Sequence, residues 1–321
     1  MASADQIRAE CAQKVARATA WYHRYRAYIM RWRVRAYYKN LWLARLERYY
    51  AWLVKNYEAE RDRRLARLAA EQANRKRAVI IGINYENTSH ELRGCINDAR
   101  NLREYLVETG NLGNDEQACY MTDGASVLPT RDNILAKYAE MLRGAQAGDK
   151  LFLTYSGHGY YTWDRSGDEA DGRDELLVSI DNRAVLDDEL KRITQENLKE
   201  GVTVFILLDC CHSGTLMDLR YNYLSSGDYD QPMVNSASEE TKGNVYLISG
   251  CMDNQTGADA YINYTFQGAM TWAFLRAVRE NPDASWKQLL TRMRSLLAPY
   301  FTQIPQLSSG RPLNVDDRVV L

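Results

Sequence analysis

The chain has 321 residues, with 41 Lys and Arg against 42 Asp and Glu, and its formal net charge is −1. This length allows one sizeable hydrophobic core plus an appendage. The balanced charge by itself indicates neither a nucleic-acid-binding protein nor an acidic tail. The two parts of the chain nevertheless differ, because residues 1–77 carry 19 basic and 7 acidic side chains, a net of +12, which leaves −13 for residues 78–321.

The sequence is typical of a soluble intracellular protein, and we expect a cytoplasmic location. It has no run of 18 or more uncharged apolar residues and no apolar secretory signal at its N-terminus. Because its six cysteines include no CxxC pair, neither a zinc site nor a disulfide framework is indicated. In a reducing compartment they are free thiols, most of them core residues, which leaves one or two for chemistry.

The first segment predicts one or two long helices, because residues 5–75 contain neither Gly nor Pro and are dense in Ala, Arg, Leu, Tyr and Trp. Aromatic and apolar residues recur at three- and four-residue steps with Arg between them, so one face requires a partner. Four interpretations stay open: a layer packed on the following domain, a self-associating helix, a helix that binds an anionic membrane or nucleic acid, and an inhibitory pro-segment. The opposite charges favour docking on the chain's own domain.

From residue 78 onward, short apolar runs alternate with helix-like segments. This alternation predicts an α/β fold with a mostly parallel central sheet and helices on both faces. The predicted strands lie at 78–83, 119–122, 151–155, 176–180, 202–208 and 245–249, and the predicted helices at 95–108, 130–143, 187–199, 266–280 and 285–298.

Two of these strands end in unusual loops. His158 follows the strand at 151–155 within the sequence YSGHG, and Cys211 follows the strand at 202–208 within DCCHSG. In open α/β sheets, ligands bind at the carboxyl ends of the strands, so the two side chains are expected to meet there. A histidine beside a cysteine supplies the base that a thiol nucleophile needs.

This combination indicates amide hydrolysis through a thioester. The backbone N–H groups of Gly159 and Cys211 are candidates to bind the developing oxyanion. A lone His or Cys is more often a buried structural residue. Two such loops, 53 residues apart, weaken that alternative.

The chain resembles the metacaspases, a family of cysteine peptidases with a caspase-like fold. The resemblance runs from residue 77 to 321 and rests on eight motifs in order, while the QAC-x-G signature of animal caspases is absent. The motifs are RAVIIGINY, ELRGCINDARNL, YSGHG, DGRDE, DDEL, DCCHSG, SGCMDNQTGADA and QGAMTWAFLRAV.

The resemblance implies a catalytic dyad of Cys211 and His158 and cleavage after Arg or Lys. It also implies a substrate-binding pocket, which two carboxylates would make selective for a basic side chain. For Asp98 alone, compensation of a helix dipole is the competing interpretation. The pocket residues implied are Cys95, Asp98, Ser156 and Asp209.

A second group of acidic residues suggests a calcium site. Clustered carboxylates without a neutralising Lys or Arg repel one another unless a hard cation binds them. Metacaspases of similar layout are activated by Ca²⁺, and the resemblance implies Asp174, Asp187, Asp188 and Asp218 as ligands, with Asp171 as the alternate. The competing interpretation is a solvated loop with Asp187 as a helix N-cap.

The predicted layout is a basic helical extension at 1–77 and a peptidase domain at 78–321. Within the domain we expect a large-subunit-like part at 78–214, a mobile loop at 215–243 and a small-subunit-like part at 244–321. This lacks the long linker of type II metacaspases. Basic residues that such an enzyme could cut in its own chain are Arg75, Lys76, Arg77, Arg220 and Lys242.

The sequence thus predicts a cysteine endopeptidase, activated by Ca²⁺, that acts on protein or peptide substrates as a monomer. The alternative is a non-proteolytic scaffold whose N-terminal helix binds a partner, a membrane or nucleic acid. An inert scaffold would not need a selectively reactive thiol.

Overall fold

The computed structural model describes residues 3–73, 77–163, 173–210, 217–223, 232–251, 260–262, 265–301, 303–319 and 321. The chain divides into two compact units, Met1–Asn74 and Arg75–Leu321.

The first unit is a hairpin of two long helices, α1 (Ala4–Met30) and α2 (Ala36–Ala73). The helices run antiparallel, and Lys14 of α1 forms an ion pair with Glu60 of α2 at 3.0 Å. The prediction of long helices is therefore confirmed. No helix in the described part of the chain is long and apolar enough to cross a membrane. The buried apolar side chains of the hairpin are Ile7, Cys11, Ala18, Ile29 and Leu46.

The second unit is built on an eight-stranded sheet with the strand order β2-β1-β3-β7-β10-β13-β8-β9. The pairs from β2 to β10 are parallel, and those from β10 to β9 are antiparallel. Its strands are β1 (Ala78–Gly82), β2 (Ala118–Thr122), β3 (Lys150–Ser156), β7 (Thr203–Asp209), β8 (Tyr221–Tyr223), β9 (Met233–Val234), β10 (Asn244–Cys251) and β13 (Ile304–Ser309).

Helices cover both faces of this sheet, as the alternation predicted. Val79 and Ile81 of β1 pack into one apolar cluster with α4 and α5, while Ala78 and Ile80 pack into the other with α3, α6 and α7. The predicted α/β fold class is therefore confirmed. The helices are α3 (Cys95–Glu108), α4 (Arg131–Gly144), α5 (Asp187–Asn197), α6 (Ala269–Glu280) and α7 (Trp286–Leu297).

The predicted strand at 176–180 does not join the central sheet, which is a correction. It belongs to β5 (Arg173–Val178), which pairs antiparallel with β4 (Gly159–Trp163) and β6 (Ala184–Leu186) in a separate three-stranded sheet. The chain turns back on itself directly after His158, so the β4 segment pairs with β5 before the chain can return to the central sheet. A second small sheet pairs β11 (Ala260–Ile262) with β12 (Thr265–Gln267).

The segment 215–243 is not a single mobile loop, because its described residues include β8 and β9. Strand β8 pairs with β13 and extends the central sheet. Met217, Leu219 and Tyr223 are buried, so this part of the segment belongs to the core.

Candidate active site

His158 lies in the turn between β3 and β4, and its main chain is held on both sides. Its N–H donates to the hydroxyl of Tyr85 at 3.0 Å, and its carbonyl accepts from the hydroxyl of Tyr155 at 2.7 Å and from the N–H of Val178 at 3.0 Å. The two tyrosine hydroxyls are 3.0 Å apart, and both side chains are buried. The tyrosine pair therefore fixes the backbone that carries the histidine.

The imidazole of His158 is oriented by a main-chain carbonyl. Its Nε2 lies 2.7 Å from the carbonyl oxygen of His90, and the ring of Tyr85 packs against it with a centroid distance of 4.7 Å. A proton on Nε2 satisfies that carbonyl, so in the neutral ring Nδ1 carries the lone pair that can act as a base.

Gly157 is required by the same tyrosine pair. A Cβ at this position would lie 2.6 Å from the hydroxyl oxygen of Tyr155 and 2.9 Å from that of Tyr85. Burial raises the pKa of both tyrosines above the ordinary value, so they stay protonated and able to donate. The close approach of two hydroxyls therefore explains this glycine.

Three of the four predicted pocket residues lie together at the carboxyl ends of β3 and β7. The hydroxyl of Ser156 donates to Oδ2 of Asp98 at 2.7 Å, and Ser156 is the register partner of Asp209. All three side chains are buried. Cys95, one turn earlier on α3, is buried in the apolar cluster that contains Val79.

The N-terminus of α6 closes over the two carboxylates. The N–H of Gly268 donates to both oxygens of Asp98 at 2.9 Å, and the N–H of Thr271 donates to Oδ2 of Asp209 at 2.7 Å. A Cβ on Gly268 would lie 2.1 Å from Oδ2 of Asp209 and 2.6 Å from Oδ2 of Asp98, so no larger residue fits there. The two acids are therefore neighbours at a helix N-terminus, a position that favours negative charge.

The environment of Asp209 disfavours its ionised form. Burial raises the pKa of its carboxyl to about 6, although backbone N–H groups oppose the shift. Its Oδ1 is buried and has no hydrogen-bond partner among the described residues. An oxygen of this kind is expected to accept a donor from a ligand.

The acidic residues of the predicted calcium site are partly brought together. Asp187 is buried at the start of α5 and accepts from the N–H groups of Asp188 at 2.8 Å and Glu175 at 3.2 Å. Asp218 lies near enough to raise the pKa of Asp187 through its charge, and it also forms an ion pair with Lys191 at 3.2 Å. The expectation of a cluster without a neutralising cation is therefore wrong for Asp218.

These residues fit a cation only in part. Burial, followed by the charge of Asp218, raises the pKa of Asp187 to about 7. A divalent cation would relieve this desolvation and repulsion, which is a feature expected of a metal site. However, no three His, Cys, Asp or Glu side chains in the described part of the chain are arranged to hold a metal. The Asp174 side chain lies outside the described residues.

A cavity of about 460 Å³ opens beside His158. Its wall is mainly aromatic and aliphatic, with polar atoms from a few residues. It is lined by Tyr85, Thr88, His90, His158, Gly159, Tyr160, Val178, Ile180 and Asn182.

Several predicted residues lie outside the described part of the chain. They include the nucleophile candidate Cys211, the alternate ligand Asp171, and Arg75 and Lys76 at the junction. Gly159, the second oxyanion candidate, begins β4 and pairs with Leu177.

Sequence reasoning missed the carbonyl of His90, the tyrosine pair and Gly268. A carbonyl oxygen is present in every residue, so the sequence gives no signal for it. The tyrosines gave only a weak signal, since aromatic residues beside a strand are usually core residues. For Gly268 the available signal was its position just before the predicted amphipathic helix, where a glycine permits close approach.

Comparisons with known proteins agree with these observations. Residues 76–220 match the family model described as metacaspase, peptidase C14 domain. Metacaspase-1A of Neurospora crassa is 35% identical over 293 residues, which cover 76% of this chain and 64% of that protein. Metacaspase-1 of Ajellomyces capsulatus is 34% identical over 290 residues, which cover 75% of this chain and 82% of that protein. The chain thus spans less than two thirds of the length of the Neurospora relative.

One solved structure supports the fold. A protein from Geobacter sulfurreducens superposes with a TM-score of 0.55 at 24% identity, covering 76% of this chain and 97% of that one. At this identity the likeness concerns the fold alone.

Proposed function

Because the chain belongs to the metacaspase family of cysteine peptidases, we propose that it hydrolyses peptide bonds after Arg or Lys, with Cys211 and His158 as its dyad. The pairing of β3 with β7, in which Ser156 is the partner of Asp209, carries this proposal. His158 and Cys211 each follow their member of that pair by two residues, so both segments leave the sheet at the same edge.

The proposed reaction has two steps. The Cys211 thiolate attacks the carbonyl carbon of the scissile bond, the C–N bond breaks, and His158 donates a proton to the leaving amine. His158 then removes a proton from water, which attacks the thioester, breaks the C–S bond and releases the acid; the Cys211 thiolate and protonated His158 are restored. The N–H groups of Gly159 and Cys211 are the proposed donors to the oxyanion.

The two buried carboxylates support selection of a basic residue. Asp98 and Asp209 are neighbours beside Ser156, and Oδ1 of Asp209 is a buried acceptor without a partner among the described residues. A guanidinium or ammonium group would supply both a donor and a compensating charge, while a substrate carboxylate would be repelled.

Peptide turnover tests this function. Matched fluorogenic peptides that end in Arg, Lys or Asp are compared with the intact protein and with Cys211→Ala. We expect hydrolysis of the Arg and Lys peptides only, and complete loss in the variant. Cleavage of the Asp peptide would contradict the pocket, and turnover by the variant would contradict the dyad.

We also propose that Ca²⁺ binds near Asp187, with Asp174, Asp188 and Asp218 as further ligands. The raised pKa of the buried Asp187 supports a site that a divalent cation would stabilise. Calcium would supply charge neutralisation there, and Lys191 would release Asp218 to the cation. Calcium should then raise both peptide turnover and the melting temperature, by binding the folded state.

The calcium proposal is tested with Asp187→Asn. This variant should lose the calcium response, whereas Asp316→Asn, a change at an exposed acid, should keep it. An equal response of both variants to calcium, or full turnover in the presence of chelator, would contradict the assignment.

Self-processing in the segment before β10 is a related proposal. Lys242 is exposed, whereas Arg220 is half-buried with its guanidinium over the ring of Tyr221. Cleavage at the Lys242 site is therefore expected to occur earlier than cleavage at the Arg220 site, and mass analysis of the incubated protein tests this order.

We also propose that the protein is a monomer, which a sizing column tests.

A further inference from the structure

The closed end of the N-terminal hairpin carries an unusual exposed surface. We call residues 21–52 the hairpin tip. Seventeen large hydrophobic side chains are exposed in the described part of the chain, and ten of them lie in this segment. The most exposed include Tyr28 at 61%, Tyr37 at 72% and Trp52 at 58%. Scattered exposed apolar residues are ordinary, but such a concentration marks a binding surface.

The same segment concentrates positive charge. The hairpin tip contains eight Arg or Lys and one Asp or Glu, a net charge of +7, whereas residues 3–20 and 53–73 together have a net charge of only +2. In the rest of the hairpin, acids neutralise bases, as in the Glu10–Arg64 pair at 2.6 Å. No basic side chain of the hairpin tip forms an ion pair with another described residue.

The turn itself alternates basic and apolar residues. Residues 31–35 read Arg-Trp-Arg-Val-Arg, and Val34 is 47% exposed. Met30 immediately before the turn is 50% exposed. Aliphatic and aromatic groups at the closed end of a hairpin, surrounded in sequence by Arg, are suited to the boundary between lipid headgroups and acyl chains.

Nucleic acid would bind similar residue types, but it fits the ring arrangement less well. Base stacking needs open ring faces. In the hairpin tip, Tyr22 stacks on Tyr50 at 4.6 Å and Tyr49 on Trp52 at 5.8 Å, while Trp21 contacts Tyr49 at 5.7 Å. These rings cover one another in part, whereas insertion into a membrane interface requires only apolar area.

We propose that the hairpin tip is a membrane-surface anchor that binds anionic phospholipid bilayers. The arginines contact headgroup phosphates, and the residues around the turn insert among the acyl chains at the interface. This function is separate from peptide hydrolysis and would place the peptidase unit at a membrane surface.

Vesicle sedimentation with the full-length protein tests the proposal. We expect binding to phosphatidylcholine vesicles that contain phosphatidylserine, weak binding to pure phosphatidylcholine, and release by salt. Replacing Arg31, Arg33 and Arg35 by Gln should weaken vesicle binding on the order of 100-fold. Each replacement removes one positive charge that is attracted to the anionic membrane surface. Replacing Val34, Tyr37 and Tyr38 by Ser should weaken it as well, through lost apolar insertion.

The matched control removes three exposed basic residues from the other part of the hairpin, with Arg17, Lys55 and Arg63 replaced by Gln. It should bind nearly as tightly as the unmodified protein, and helix content by circular dichroism checks that every variant is folded. Equal loss in the two charge variants would overturn the proposal. Equal affinity for neutral vesicles would also overturn it. So would binding of the full-length protein to an oligonucleotide, or its self-association through the hairpin tip, if neither is accompanied by vesicle binding.

Discussion

The hydroxyl of Ser156 donates to Oδ2 of Asp98 at 2.7 Å, and this bond joins the end of β3 to the first turn of α3. The N–H of Gly268 reaches the same carboxylate, so the charge of Asp98 is also held at the N-terminus of α6. Asp98 therefore has two possible roles. It can recognise a basic substrate residue, or it can stabilise a helix terminus, and the two roles predict different effects of mutation.

Asp98→Asn should reduce the discrimination between charged and neutral substrates. The unmodified enzyme is expected to prefer a peptide ending in Arg over its uncharged isostere citrulline by at least about 100-fold, the scale of a buried charge pair. The variant keeps an acceptor oxygen but loses one of the two pocket charges, so this ratio of kcat/KM should fall by about tenfold, while the charge of Asp209 preserves part of the preference. Turnover of both peptides at varied concentration measures it.

Asp132→Asn is the matched control, because Asp132 lies in the first turn of α4 but is exposed. It should leave the Arg-to-citrulline ratio unchanged. If Asp98→Asn lowers stability and turnover of both peptides equally, Asp98 is a structural residue and the pocket assignment fails.

The affinity of the pocket for a cation should depend on pH. The pKa of Asp209 is raised to about 6 by burial, so the carboxylate is ionised at pH 7.5 and mostly protonated at pH 5. Because only the ionised form attracts a cation, agmatine should bind about tenfold more weakly at pH 5, the factor set by protonation one unit below the pKa.

Calorimetry with Cys211→Ala measures this binding without titration of the Cys211 thiol, and Asp209→Asn in the same background separates the effect of Asp209 from that of His158. Asp209→Asn should bind agmatine weakly at both pH values. An affinity of the Cys211→Ala protein that does not change between pH 5 and 7.5 would show that Asp209 does not contact the ligand.

The sequence predicted the elements that have a clear hydrophobic pattern, either an amphipathic helix or a continuous apolar strand. Helix α3 has the predicted bounds, and β1 and β7 lie where continuous apolar runs placed them. It misplaced β5, because periodicity detects a strand but not the sheet that the strand joins. It also missed β13, which contains Pro305, a residue that disfavours the interior of a sheet.

The same limit applies to the site. His158 could be predicted from its residue type and its position at a strand end, whereas Asp209 was predicted from the resemblance to the metacaspases. The contacts that position them come from main-chain groups, as with the carbonyl of His90, or from residues distant in sequence, as with Tyr85 and Val178. Such contacts depend on how loops meet in three dimensions, and no local pattern encodes them.

Tyr85→Phe should lower kcat, because the backbone of His158 would lose a hydrogen bond that fixes its position. The hydroxyl of Tyr85 accepts the N–H of His158 at 3.0 Å, so its removal leaves this N–H without its partner, whereas the carbonyl of Val178 still accepts from the hydroxyl of Tyr155 at 2.9 Å. An unsatisfied N–H costs about 1–3 kcal/mol, and part of this cost should appear as a misplaced imidazole. We expect kcat to fall roughly tenfold or more with KM nearly unchanged.

Tyr138→Phe is the control for stability alone. Tyr138 is equally buried, and its hydroxyl bonds to Thr194 at 2.7 Å between α4 and α5. Both variants should lose similar stability in denaturant titrations, but only Tyr85→Phe should lose turnover. Equal turnover in the two variants would show that the tyrosine pair does not position His158.

The cavity beside His158 should select the residue that follows the cleaved bond. A general acid protonates the leaving amine, so the departing part of the substrate lies on the histidine side, away from the two carboxylates. The cavity wall there includes Tyr160, Val178 and Ile180, and its volume of about 460 Å³ can hold a large side chain. Peptides with Phe or Leu at this position should therefore be cleaved faster than those with Asp, by about 10-fold.

Tyr160→Ala removes one exposed wall of this cavity, and Tyr300→Ala is its control because Tyr300 is also an exposed tyrosine but does not line the cavity. In a mixed peptide library with Arg fixed before the cleaved bond, Tyr160→Ala should lose several-fold of the preference for Phe. Tyr300→Ala should leave it unchanged. If Tyr160→Ala instead alters the choice between Arg and Lys, the cavity lies on the acyl side of the cleaved bond and the direction of the bound substrate is reversed.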